Sequence, residues 1–241
     1  MTKPLLRIEN LCVSADNRKI LDNINLSLNK NEVIAILGPN GSGKTSLLLS
    51  IIGYPKFKVS GEIYFGGKKI TNLSMYERVK LGIGLAYQHP PEILGVKLKT
   101  LLNLISKEDN ALLQELVEKF KIKELLNRDI NVDFSGGERK KVEILQLLAM
   151  KAKLLLLDEP DSGVDIESLR VIGEILNDYF KKRRIAAIVV THTGDILEFI
   201  EAKKACILLN GKFACFGDPH VIFDEIKKRG YEECVRCLKQ F

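Results

Sequence analysis

The chain has 241 residues, 46% of them hydrophobic and 28% charged, and its formal net charge of +6 is spread along its length. That size suits one large α/β domain with an inserted subdomain, and the composition is that of an ordinary soluble globular protein and excludes a disordered chain. The longest apolar runs, at 154–157 and 185–190, fall far short of the roughly 20 residues that span a bilayer, so no direct membrane insertion is expected. Dispersed cations read as a solvated surface, and no nucleic-acid partner is expected. The N-terminal stretch MTKPLLRIEN lacks an apolar signal core, and the sparse cysteines fit a reducing compartment, so a cytoplasmic location is expected.

In chain order, LLRIENLCV and the alternation of Ile20, Ile24, Leu26 and Leu28 predict strands. EVIAIL at 32–37 is a near-continuous apolar strand that runs into GPNGSGKT at 38–45, and a helix is predicted from Lys44 to Ile52. SGEIYFGGKKI reads as strand and turn, and LAYQ at 85–88 as a strand ending at Gln88. From Thr100 to Lys123, Leu101, Leu102, Leu104, Ile105, Leu112, Leu113, Leu116 and Phe120 recur at helical spacings with no strand signal, which predicts an inserted helical subdomain. Val142, Leu145, Leu148 and Ala149 form one face of a further helix. The apolar strands LLLLD and IAAIVV, separated by a helix over 166–182, predict a parallel sheet. Asn210-Gly211 is a hairpin turn, since both residues tolerate positive φ, and a helix near 220–228 closes the chain.

The chemistry starts at Gly38, Gly41 and Gly43, which let backbone N–H groups approach phosphate oxygens at the positive end of the following helix. Pro39, Asn40, Ser42 and Ser46 complete the candidate phosphate-binding set. Lys44 is placed to bridge β and γ phosphates, and Thr45 and Asp158 to hold magnesium, with Glu159 as the base that orients water. ATP and Mg2+ are the expected cofactors. Six further positions are read from their local sequence. Gln88 at a strand end is a surface amide or a phosphate sensor. Ser135, Gly136 and Gly137 open a helix and make either an anion site or an ordinary N-cap. Asp165 precedes IESLRVI as a helix cap, and His192 stands at a strand end where a histidine is structural or contacts a γ-phosphate.

The order of phosphate loop, SGGE, apolar strand and Asp-Glu resembles the ATP-binding cassette (ABC) ATPases. The resemblance implies a P-loop NTPase α/β fold of the ABC type, with a β-rich N-terminal part and an inserted helical subdomain. Residues 1–88 and 151–241 would form the RecA-like core with its N-terminal antiparallel strands, and 89–150 the helical subdomain with the signature motif. It also implies roles: Gln88 as γ-phosphate sensor and magnesium ligand, His192 as switch histidine, and Asp165 on a loop crossing a dimer interface. Ser135, Gly136 and Gly137 would cap the nucleotide of a partner subunit, which implies a transient head-to-tail homodimer formed on ATP binding.

Several segments are more specifically similar to SufC, the ATPase of the Suf iron-sulfur cluster assembly machinery: GYPKFKVSGEIYF at 53–65, ITNLSMYERVKLGIGLAYQHPPEILGV at 70–96, NVDFSGGERKKVEILQ at 131–146 and LLLLDEPDSGVDIESL at 154–169. Asp161 discriminates most, because transporter ATPases usually carry a small hydroxyl residue in that slot. This resemblance implies soluble SufB/SufD-like scaffold partners; the alternatives are the nucleotide-binding subunit of a membrane transporter and a non-hydrolysing binding module. The chain departs from the wider pattern at Ala15, where many cassettes place an aromatic to stack on adenine, and in TGDIL after His192. Cys234 and Cys237 have metal-like spacing without a second half-site. Asp161 and the run Arg139-Lys140-Lys141 raise a last expectation: a cation paired with Asp161 or Glu159 that latches the base in the free subunit.

Overall fold

A computed structural model describes residues 3–107 and 109–238, with side chains through Tyr231. Its centre is a six-stranded sheet built from β3 (Val33–Leu37), β6 (Ile83–Ala86), β9 (Leu154–Asp158), β10 (Ala186–Thr191), β11 (Lys204–Leu209) and β12 (Lys212–Gly217), in the order β12-β11-β3-β10-β9-β6. All neighbours are parallel except the β11–β12 hairpin, which turns on Asn210 and Gly211 at positive φ.

Strands covered on both faces must be apolar at every position, which is why these read as continuous runs rather than alternating ones. Leu154 and Leu156 face a layer containing α1 (Lys44–Ile52) and the N-terminal strands, whereas Leu155 and Leu157 face the helices on the other side. All four are fully buried, and each such side chain contributes roughly 1.5–3 kcal/mol to the burial of apolar surface.

The N-terminal layer is an antiparallel sheet, β2-β1-β4-β5, of β1 (Leu6–Ala15), β2 (Arg18–Leu28), β4 (Lys58–Phe65) and β5 (Lys68–Lys69). It packs over α1, whose C-terminal end is held by two devices. Gly53 caps it in the left-handed region at φ 85°, and the buried Arg78 guanidinium donates to the carbonyls of Ser50 and Ile51, and to Thr71 and Leu73. Arg78 comes from α2 (Met75–Leu81), so it satisfies carbonyls that no residue of α1 can reach.

Residues 98–149 supply α3 (Leu98–Ile105), α4 (Asn110–Phe120) and α5 (Gly136–Ala149), whose apolar faces meet around Leu102, Leu116, Phe120 and Leu145. α6 (Ile166–Arg183) covers the same side of the central sheet. Two expectations need correction here. β6 ends at Ala86, not at Gln88, because the Tyr87 peptide is taken out of the ladder by side chains of α5. A short two-stranded sheet also pairs β7 (Ile93–Lys97) with β8 (Asp129–Ile130) where no strand was expected, since β7 is exposed throughout and has no buried face to set a period. The closing helix, α7 (Pro219–Leu238), is longer than expected and is interrupted at Gly230 (φ 78°, ψ 174°). Cys234 and Cys237 lie outside the described side chains. No helix among the described residues is long and apolar enough to cross a membrane.

Candidate nucleotide site

The loop between β3 and α1 needs its glycines for separate reasons. Gly41 and Gly43 sit at φ 79° and 104°, a region that L side chains rarely adopt. At Gly38 a Cβ would lie 2.4 Å from the carbonyl oxygen of Leu208, so only glycine lets the end of β3 pass β11. Lys44 is buried, and its ammonium donates to the carbonyls of Gly38 (2.8 Å) and Pro39 (3.1 Å). Burial holds that ammonium below the ordinary lysine value, against the attraction of Glu159 and Asp158. Ser42 is buried with an unpartnered hydroxyl oxygen, facing the same loop. A cradle of this kind presents N–H groups and a lysine to an anion such as a polyphosphate.

Next to it, Thr45 Oγ1 donates to Asp158 Oδ1 at 3.2 Å, joining the first turn of α1 to the end of β9. Burial pushes the Asp158 carboxyl up; the Thr45 hydrogen bond opposes this and the charge of Glu159 adds to it. Two adjacent buried acids beside a hydroxyl are a donor set suited to a hard divalent cation, which would relieve that repulsion.

Glu159 is buried and has a left-handed backbone (φ 48°), a conformation uncommon outside glycine and asparagine. Its N–H donates to Val190 O at 2.9 Å, so the turn is fixed against β10. One carboxylate oxygen accepts from Gln88 Nε2 at 2.6 Å, and the other lies 3.3 Å from His192 Nδ1. Gln88, Glu159 and His192 therefore converge from three chain segments. They line a cleft of about 460 Å³ together with Asn40, Gly41, Gly43, Lys44, Thr45 and Ser46. Ile20, read in the sequence only as a strand residue, and Ser162, which carries no sequence signal, also face that cleft. Ile20 supplies an apolar wall from the N-terminal sheet near Ala15, where no aromatic is present.

The signature residues stand elsewhere. Ser135 caps α5 through a reciprocal pair: Glu138 N donates to Ser135 Oγ (3.2 Å) and Ser135 N to Glu138 Oε2 (2.7 Å). A Cβ at Gly136 would lie 2.2 Å from Gly163 O, and one at Gly137 2.5 Å from Ser168 Oγ, so Gly136 is required by the loop packed behind it and Gly137 by the first turn of α6. That loop contains Asp165, which caps α6 by accepting from Ser168 N at 2.8 Å. Among the described residues, none of Ser135, Gly136, Gly137 and Asp165 lines the cleft that holds Lys44.

The expected latch is not formed. Arg139 pairs with Glu92, and Lys140 donates to Tyr87 O at 2.6 Å. Asp161 instead accepts from Thr191 Oγ1 (2.6 Å), Thr193 Oγ1 (3.0 Å) and Ile196 N (3.3 Å). It thus secures the segment that carries His192. Tyr231, which the sequence did not single out, donates its hydroxyl to His192 O at 3.2 Å, and the Phe223 ring occupies the space where Gly194 would otherwise carry a Cβ.

The ABC transporter family profile matches residues 21–162. The chain belongs to the ABC transporter ATPase family. A probable ATP-dependent transporter, ycf16, of Trieres chinensis is 35% identical over 245 residues, covering 95% of this chain and 97% of the relative. Among solved structures, the ADP conformation of the cassette MJ1267 is 28% identical at a TM-score of 0.77, with 99% of each chain covered. A dimeric, post-hydrolysis cassette, MJ0796 bound to ADP and phosphate, shares the fold at a TM-score of 0.78 and 22% identity, covering 89% of this chain and 98% of that one. The fold is that of the P-loop ABC ATPases, as the motif order implied. This protein is accordingly an ATPase of the ABC type that uses ATP and Mg2+.

Proposed function

We propose that the chain is the SufC-type ATPase of a cytoplasmic iron-sulfur cluster assembly system, acting on soluble SufB/SufD-like scaffold proteins. The observation that carries its hydrolytic part is the convergence of Gln88 and His192 on the Glu159 carboxylate, beside the Thr45–Asp158 pair. Residues 38–46 bind the phosphates, with Lys44 neutralising the β and γ oxygens. Thr45, Gln88 and Asp158 would hold magnesium, which supplies charge neutralisation on the phosphates. Glu159 orients the attacking water and accepts its proton, Gln88 senses the γ-phosphate, and His192 stabilises charge on it.

The separation of Ser135, Gly136, Gly137 and Asp165 from the cleft of their own chain supports a head-to-tail homodimer with two composite sites, formed on ATP binding. The domain division proposed above, 89–150 against 1–88 and 151–241, gives this dimer its two moving parts. The Suf assignment rests on the segments quoted above and on Asp161, two residues beyond Glu159.

A second reading, the nucleotide-binding subunit of a membrane transporter, is favoured by the relatives' description as transporters. Both readings use the same groove of about 260 Å³, lined by Ile52, Met75, Tyr87, Pro90, Pro91 and Met150, where an apolar segment of a partner fits. Purification of the native protein with its bound partners separates them. Soluble scaffold subunits in stoichiometric amount are the expected result, and a polytopic membrane protein overturns the Suf assignment.

A further inference from the structure

One polar cluster has no part in the roles assigned so far. α5 starts at the signature motif and runs beneath the groove, and on its buried face it carries Lys140 and Glu143, 3% and 7% exposed. Both reach the same peptide unit. Glu143 Oε1 accepts from Tyr87 N at 2.6 Å, while Lys140 Nζ donates to Tyr87 O at 2.6 Å. Their mutual separation is longer, 3.9 Å between Lys140 Nζ and Glu143 Oε2. Each charge is thus spent chiefly on the backbone of Tyr87, and only secondarily on the other.

A packed core does not carry two buried charges without compensation, because desolvation costs several kcal/mol per ion. The compensation here is a backbone N–H and C=O released from the β6 ladder, which ends one residue earlier at Ala86. Tyr87 is followed directly by Gln88, whose amide meets the Glu159 carboxylate at 2.6 Å. A covalent step of one residue therefore separates the clamped peptide from the group that faces the base. Glu143 also lines the groove, and its Oε2 is buried and unpartnered by any hydrogen bond.

We infer that Glu143 is a positioning residue for hydrolysis: with Lys140 it holds the Tyr87 peptide from the signature helix and so sets where Gln88 meets Glu159. The inference rests on the roles proposed for Gln88 and Glu159. Those roles are checked separately by Gln88→Ala and Glu159→Gln, so failure of either reading can be told from failure of the other.

The test compares Glu143→Leu and Glu143→Gln in the full-length protein, with kcat and KM for ATP measured alongside equilibrium binding of a fluorescent ATP analogue. Glu143→Leu removes the acceptor for Tyr87 N–H; kcat is expected to fall about tenfold or more, with KM and analogue affinity within about twofold. Glu143→Gln keeps an acceptor oxygen at the same reach and should recover kcat to within about threefold of wild type. If Glu143→Leu does not fold, Glu143→Asp, which withdraws the carboxylate by one methylene, carries the test and should lower kcat several-fold at unchanged KM. Wild-type kcat in a folded Leu or Asp variant overturns the inference. So does a loss that appears equally in nucleotide affinity, or a Gln variant as defective as Leu, because either would mark a structural rather than a positioning role.

Discussion

The phosphate loop and the signature helix of this chain are built differently. Around the phosphate loop, the buried Lys44, Asp158 and Glu159 are each bonded within the chain: Lys44 to loop carbonyls, Asp158 to Thr45 at the first turn of α1, Glu159 to the half-buried Gln88. Ser135, exposed at the head of the signature helix, caps it by accepting from Glu138 N, while Gly136 is demanded by the loop behind it and Gly137 by Ser168 in the first turn of α6. The first part brings Lys44, Thr45, Gln88, Glu159 and His192 to one cleft within a single chain. The second is explained locally by helix capping and packing alone, and only the proposed head-to-tail dimer would give it a ligand. Local sequence can thus reveal chemistry where a fold needs buried charge, but a surface half-site looks like ordinary capping until the assembly is considered.

The sharpest way to test the first half is Glu159→Gln. An amide cannot take the proton from water, so turnover should drop by about 10²-fold or more while nucleotide binding persists. Steady-state hydrolysis and analogue binding check this, and near-normal turnover would remove Glu159 from the role of base.

A smaller effect concerns the clamp behind that site. Burial pushes the Glu143 carboxyl up to about 7 from an ordinary 4.5, opposed by Lys140 and by the Tyr87 N–H. A raised carboxyl favours the folded state while protonated: its contribution is complete below about pH 4.5 and is lost as pH rises through about 7. Relative to Glu143→Gln, wild type should lose on the order of 3 kcal/mol of stability between pH 5 and 8. Denaturant midpoints across that range measure it, and parallel curves for the two proteins would contradict the burial argument.

Smaller again is the effect of Asp161→Ser. The latch expectation had this variant gain activity; the observed hydrogen bonds reverse the sign. Thr191, Thr193 and Ile196 would lose their shared acceptor, which costs about 1–3 kcal/mol and loosens the segment bearing His192. Lower thermal stability with reduced kcat is expected, and a more active variant would restore the latch.

How much of this was legible depended on how local the physical demand is. The glycines at 41 and 43, the lysine that follows and the acids closing an apolar strand each answer a requirement within a few residues, and the central strands follow from being covered on both faces. The N-terminal sheet also showed its period. What stayed hidden was set by contacts across the sequence. Glu143 and Lys140 reach Tyr87 from more than 50 positions away, and their competition for its peptide is what ends β6 early. Tyr231 reaches His192 from beyond a break at Gly230, and Ile20 walls the cleft from another sheet. The missing Cation–Asp161 pair shows the same limit, since proximity in motif order did not predict which acceptor Lys140 would choose.

The central claim, that each active site is assembled from the phosphate loop of one chain and the signature of another, is tested most directly by mixing two inactive variants. Lys44→Ala removes the phosphate ligand, and Ser135→Arg blocks the capping surface without touching the cleft of its own chain. A heterodimer of the two contains one wholly damaged site and one wholly intact site. ATPase activity should therefore return on mixing, peak at equal proportions, and approach half the wild-type rate per heterodimer. Heterodimers that form but stay inactive at every mixing ratio would contradict the composite-site account.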